Sequence, residues 1–500
     1  MRASVPDSHR GGARPLCSMP PCRKCGFDSA THLEEMQTNT IAGRAALRSR
    51  LSELDALIGS LTAERQRRQD VADTIIYPVL SLPVETTAEI FRHCIPAQSN
   101  LGKSSTEAPW VLAQICRQWR QIALNTPYLW QSFLFRDGEA SMELLHLWLS
   151  RSGGLPLKLN LTSIDPFGVE SLIETSLLHC HRWQDVKFRL PNGSFSGLDL
   201  RDVSLPLLQS ISLRGDLWSR KPIVDTFTIA DAPSLRHVDL STLPSTKLDI
   251  PWARMTTLTL LQNIPLRECM PLLKKCRNLV NLTVSTTGPA ATHTDLVTLT
   301  SLETLTCNLG GASVLQNLTL PHLVRLVVTS FSDEAYVPGF SAFINRSTCP
   351  LQFLTVQDTT RSSLSALAAF LRAVPNSTSD VELTWYQSRF QHLFSVLQYM
   401  DVLPGLKHLR LRAELQMNKE EYDKLLEVLR ARVEAEPPRI PLESITLKVT
   451  IRQQFNLRMM PDSSWITQLR ELVSDGLQVD FAIESFDSST HVVLNSRAQD

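Results

Sequence analysis

The chain has 500 residues, 43% of them hydrophobic, with 50 basic and 50 acidic side chains and a formal net charge of zero. That length allows two or three domains with a sizeable core. The charge balance gives no electrostatic footprint for nucleic acid or an acidic membrane surface. No apolar run approaches the length of a transmembrane helix. Residues Met1 to Arg14 are polar, without the apolar core of a secretory signal. Cytoplasm or nucleus is the compartment expected from these features. Ten cysteines are sparse in such a chain. Cys116, Cys269, Cys276 and Cys307 sit inside apolar patterns and read as reduced core residues rather than disulfides.

Residues 1–40 mix Ser, Pro, Gly and Arg without periodicity and read as disordered. Cys17, Cys22 and Cys25 cluster there, but a structural zinc site wants four ligands. His9 and His32 stand at no familiar spacing from them, so an incidental cluster is expected. Residues 41–76 read as a helix. Leu47, Leu51, Leu54, Ile58 and Leu61 alternate steps of four and three, which is a heptad seam two to three heptads long. It runs into Arg65 and Arg68. Two readings stay open: self-association through 47–61, or a solvated helix lying against the rest of the chain.

Residues 77–135 form the stretch around which the chain is organised. Leu82-Pro83 sets an extended entry, because a proline disfavours helical geometry in the residue before it. Pro83 suits the first turn of a helix, and Glu85 suits its positive end. Ala88, Phe91 and Ile95 recur at helical spacing beside Ile90, and Pro96 stops the helix. A Ser-rich insert follows. Leu112, Ile115, Cys116, Trp119, Ile122 and Ala123 then form a second apolar stripe, with Arg117, Gln118, Arg120 and Gln121 on the other face. Asn125-Thr126-Pro127 breaks it, and Leu129-Trp130 packs back. Two short helices cannot bury this much Trp, Phe and Ile alone. Some of that surface meets either the rest of the chain or a partner protein.

The order and spacing of Leu82-Pro83, Glu85, Ile90-Phe91, Cys116-Arg117, Trp119-Arg120, Ile122-Ala123 and Leu129-Trp130 resemble an F-box. The resemblance covers about a tenth of the chain, and the linker from Pro96 to Pro109 is longer than in a compact F-box. It implies docking to the Skp-type adaptor of a cullin-RING ubiquitin ligase. The implied docking residues are Leu82, Pro83, Ile90, Phe91, Leu112, Cys116, Trp119 and Trp130, partly as interface and partly as the module's own core. Leu82-Pro83 is the sharper test pair, having less reason to be internal.

Ser141 to Arg151 reads as a helix with Met142, Leu145, Trp148 and Leu149 inward. Leu155, Leu157, Leu159 and Leu161 then alternate as a strand with one buried face. From there to residue 484 an apolar-x-x-apolar-x-apolar unit recurs. Copies include Trp183, Val186, Phe188; Leu208, Ile211, Leu213; Leu235, Val238, Leu240; and Leu279, Leu282, Val284. Others are Leu302, Leu305, Cys307; Leu323, Leu326, Val328; Leu406, Leu409, Leu411; and Leu442, Ile445, Leu447, with a degenerate copy at Val381 and Leu383. Helical stretches are expected at 266–276, 363–374, 389–400 and 420–434. The alternation resembles an irregular leucine-rich-repeat solenoid, an α/β fold in which stacked units share one core and line up a parallel sheet. An unspecified α/β domain is the alternative. Leu477, Val479, Phe481 and Ile483 read as a last strand. Residues 485–500 read as a tail in which His491 to Leu494 can add an edge strand.

No Gly-rich phosphate loop, Gly-x-Ser-x-Gly elbow or His-Glu-x-x-His is present. His179-Cys180-His181 is a poor chelate, since adjacent residues at a helix end point in different directions. No cofactor, metal or catalytic residue is expected. Two main functions follow, with a hydrolase hidden in an irregular α/β domain as a weaker third. The resemblance implies a substrate-recognition subunit of a Skp/cullin/F-box ubiquitin ligase, with the repeats holding an unknown target protein. The alternative is a repeat scaffold with no ligase role, the helices at 82–130 then being an N-terminal cap.

Overall fold

The computed structural model describes residues 40–74, 78–95, 108–136, 142–163, 168–198, 200–215, 227–240, 248–287, 296–308, 314–329, 337–358, 364–385, 390–399, 401–413, 417–435, 439–451, 461–485 and 490–495. The cysteine cluster at Cys17, Cys22 and Cys25, and most of the linker after Pro96, lie outside the described residues. The chain divides into two compact units, one ending at Val84 and one running from Glu85. The first holds a long helix, Ile41–Thr74, and a single turn, Pro78–Ser81.

The second unit is α/β, built on a long open sheet. Among the described residues, fourteen parallel strands follow one another across it in chain order, from Ser132–Arg136 to Gln478–Ser485. A fifteenth, Thr490–Asn495, lies antiparallel at the far edge, so the offered edge strand, rather than a loose tail, occupies those residues. The repeated sequence unit explains the register. Its second and third apolar residues fall two apart on a strand and therefore point to the same face. They stack across neighbouring strands. Phe135, Leu161, Phe188, Leu213, Leu240, Leu260 and Val284 are successive partners in one row. Cys307, Val328, Val356, Leu383, Leu411, Leu447 and Phe481 continue it. All are buried. Each such side chain contributes about 1.5–3 kcal/mol, and no unit could enclose its own row alone. Val381 and Leu383 keep the register although their unit lacks a leucine at its first position.

Helices connect many of the strands: Leu266–Lys275, Leu364–Arg372, Phe390–Gln398 and Lys419–Val433 at the expected places, with Val169–Leu177 and Val337–Ser347 besides. Lys419–Val433 begins with a capping box. The Glu421 amide donates to the Asn418 side chain, and the Asn418 amide donates to the Glu421 carboxylate, both at 2.9 Å. Three arginines tie one connection to the one before. Arg182 donates to the Leu155 carbonyl, Arg346 to those of Leu315, Gln316 and Leu318, and Arg432 to those of Leu397, Val402 and Leu403. Guanidinium is suited to this, because its five donors can satisfy several buried carbonyls at once. Burial lowers the Arg432 pKa to about 10, so it remains charged at neutral pH.

Candidate functional site

The helical module at the head of the second unit is where the sequence concentrates its docking residues. Its first helix is Val84–His93. Thr87 and Phe91, four apart, are buried, while Ala88 and Ile95 are half-covered. Glu89 holds the exposed side with contacts to Arg92 at 3.1 Å and His93 at 3.3 Å.

The expected second helix is in fact two, Trp110–Ile115 and Arg117–Leu124. Cys116 between them is extended, with φ −152° and ψ 170°. Its Sγ accepts the Trp119 amide at 3.4 Å and so caps the second helix, while the Arg120 guanidinium donates to the Ala113 carbonyl at 2.7 Å and closes the first. The break changes the apolar stripe. Leu112, Ile122 and Ala123 remain inward, but Ile115 turns outward. A single helical period through 112–123 could not anticipate this.

The inward side is an aromatic cluster. Trp130 meets Trp110 at 5.4 Å and Trp148 at 4.7 Å between ring centroids, both edge-on. Phe133 lies 5.1 Å from Trp148, and Phe91 meets Trp119 edge-on at 5.0 Å. Such pairs are worth about 0.5–1.5 kcal/mol beyond their burial. Trp130 Nε1 donates to the Ala123 carbonyl at 2.9 Å, and the Arg151 guanidinium covers the ring at 4.6 Å. Burial lowers the Arg151 pKa. Phe133 is on the first sheet strand and Trp148 on the helix Met142–Arg151. The module therefore seats one side firmly on the start of the sheet.

Other apolar residues of the module are exposed among the described residues. Ile115 is 57% exposed, Tyr128 43% and Ile90 42%. Arg92 lies over the Tyr128 ring at 5.4 Å. Of the eight docking residues named from the sequence, Phe91, Leu112 and Trp130 are fully enclosed by this chain. Cys116 and Trp119 are half-buried, and Ile90 is exposed. Leu82 and Pro83 belong to the first unit, where Leu82 is half-buried and Pro83 exposed. Val84, Ile115 and Tyr128 are exposed residues that sequence reasoning did not name for docking. The signal for Ile115 was the cysteine at 116, a capping residue placed inside what looked like one helix.

Elsewhere the chemistry is plain. His179-Cys180-His181 follows the helix Val169–Leu177 and runs into a single turn, Cys180–Arg182. Among the described residues no three His, Cys, Asp or Glu side chains gather to hold a metal, and no helix is long and apolar enough to cross a membrane. Cys269, Cys276, Cys307 and Cys349 are free and buried. Neither a protein-family model nor a curated protein matches the chain.

Proposed function

We propose that this chain is the substrate-recognition subunit of a Skp/cullin/F-box type ubiquitin ligase. In this reading residues 77–135 dock the Skp-type adaptor, and the long sheet presents a target protein. The observation that carries the reading is a helical module that combines an anchored aromatic cluster with exposed apolar residues. The module is fixed to the sheet by Trp110, Trp130, Phe133 and Trp148, while Ile90, Ile115 and Tyr128 stay uncovered. Apolar residues held open on a rigid support suit a protein partner. The spacing that resembles an F-box supports the adaptor as that partner.

The sheet is read as an irregular leucine-rich-repeat solenoid. Its support is the strand order, which follows the chain, and the unbroken apolar rows that link each unit to the next. The chain performs no chemistry of its own here; its contribution is to hold the target close to the transferring enzyme.

The test is co-purification with a recombinant Skp-type adaptor. Wild-type protein forms a stoichiometric complex, and replacing Leu82 and Pro83 together with alanine abolishes it while the thermal transition stays in place. Failure of the wild type to capture the adaptor, or full capture by the double variant, leaves a repeat scaffold with no ligase role.

A further inference from the structure

The helix Ile41–Thr74 carries its heptad seam bare. Leu51 is 56% exposed, Ile58 61% and Leu61 56%, with Leu47 and Leu54 half-covered. At 34 residues it is about 51 Å long. A solvated helix gains nothing from leucine or isoleucine at five seam positions, and helices in water draw most of their stability from covering such a stripe. An occupant that matches a heptad is another heptad.

We propose that this helix forms an antiparallel coiled coil with the same helix of a second copy of the chain. Orientation follows from the charges. In a parallel pair each seam residue faces its own copy, so Arg44, Arg65 and Arg68 would each meet the same arginine in the contact line. An antiparallel pair instead sets Leu51 against Leu61 and Leu54 against Ile58. It places Arg65 beside Leu47, where the arginine stem covers the leucine and the guanidinium reaches water. The flanks agree. Arg50 and Glu64 occupy equivalent flanking positions, and antiparallel pairing brings Arg50 of one copy to Glu64 of the other, twice by symmetry. Each is already held on its own helix, Arg50 by Glu53 at 2.7 Å and Glu64 by Arg68 at 2.5 Å. Asp55 meets its own copy at the rim, and Arg44 of each copy meets Arg68 of the other at the two outer ends of the seam; these two end contacts replace three arginine self-pairs in the parallel seam. The proposal does not depend on adaptor docking.

The experiment is light-scattering mass of the full chain over a concentration series, with a monomer of 56.1 kDa. Twice that mass is expected at the upper end, reverting to monomer in Leu51→Glu/Ile58→Glu. Charge swaps then read the orientation. Arg50→Glu weakens the dimer about tenfold, and adding Glu64→Arg restores it. A wild type that is monomeric throughout overturns the proposal. So does a dimer indifferent to the seam substitutions. Rescue of Arg50→Glu by Asp55→Arg instead of Glu64→Arg overturns the antiparallel arrangement, because Asp55 is the partner of Arg50 in a parallel pair.

Discussion

Replacing Ile90 and Ile115 with lysine separates docking from folding. Full burial of an isoleucine is worth about 1.5–3 kcal/mol. Ile115 keeps 57% of its surface open and Ile90 42%. A partner that covers both therefore gains about 0.9–1.7 and about 0.6–1.3 kcal/mol from them. The sum corresponds to roughly tenfold to a hundredfold or more in affinity. Two lysine ammonium groups forced under the partner add a desolvation cost to that loss. Lysine is the better probe than alanine, since its stem retains the contacts that each isoleucine makes within the chain while its charge reaches solvent. The chain's own stability should fall by less than about 1 kcal/mol. Calorimetric titration with purified Skp-type adaptor, beside thermal unfolding of the same preparations, measures both. If the folded double variant binds the adaptor as tightly as wild type, these exposed residues of the module are not the docking surface.

Trp130→Ala makes the opposite perturbation. It removes the ring beneath Trp110, Trp148 and Arg151, and should cost about 3–5 kcal/mol in denaturant unfolding. Arg432→Met leaves the buried carbonyls of Leu397, Val402 and Leu403 without their donor. A loss of about 3–5 kcal/mol is expected by the same measurement. Gly405→Ala would set its Cβ 2.0 Å from the Asn376 carbonyl oxygen, so the backbone must shift and the thermal midpoint should drop by several degrees. Burial pushes the Cys269, Cys276 and Cys307 thiols up to about 12. Below the unfolded thiol value near 9 these groups are neutral in both states. Above it the unfolded chain ionises first, so stability should fall between pH 9 and 12 by about 1.4 kcal/mol per pH unit for each thiol. A flat urea midpoint from pH 8.5 to 10.5 would contradict the burial. At pH 8, mass mapping after alkylation of the native protein should find Cys94 labelled and these three protected.

The parallel strands were legible because their signal is redundant. Leu279, Leu282 and Val284, or Leu302, Leu305 and Cys307, each mark one strand, and a neighbour checks every one. The degenerate unit at Val381 and Leu383 shows how far that redundancy reaches. The strand Ser132–Arg136 was hidden although Trp130, Phe133 and Phe135 carry the unit's spacing, because they fall inside the stretch read as the helical module. The helix Val337–Ser347 was hidden by Pro338 and Gly339 in its first turn. In the candidate site the aromatic positions were readable, but their division between inside and outside was not. Phe91 and Ile90 are adjacent, and only the fold decides which one the sheet-side cluster takes. The roles of Arg182, Arg346 and Arg432 were equally invisible. A basic residue near the end of a connecting helix looks like ordinary solvated charge until the carbonyls of the preceding connection arrive beside it.

Because neighbours in space are also neighbours along the polypeptide, a change in one segment reaches only the two that flank it. Local loops close cheaply, so assembly can spread from any well-formed stretch without waiting for the ends to meet. Such an arrangement tolerates the gain or loss of a whole segment far better than a barrel does, where every strand is needed for closure. The row of strands can lengthen, shorten or diverge at one end while its opposite end, anchored by four aromatic rings, keeps the same footing.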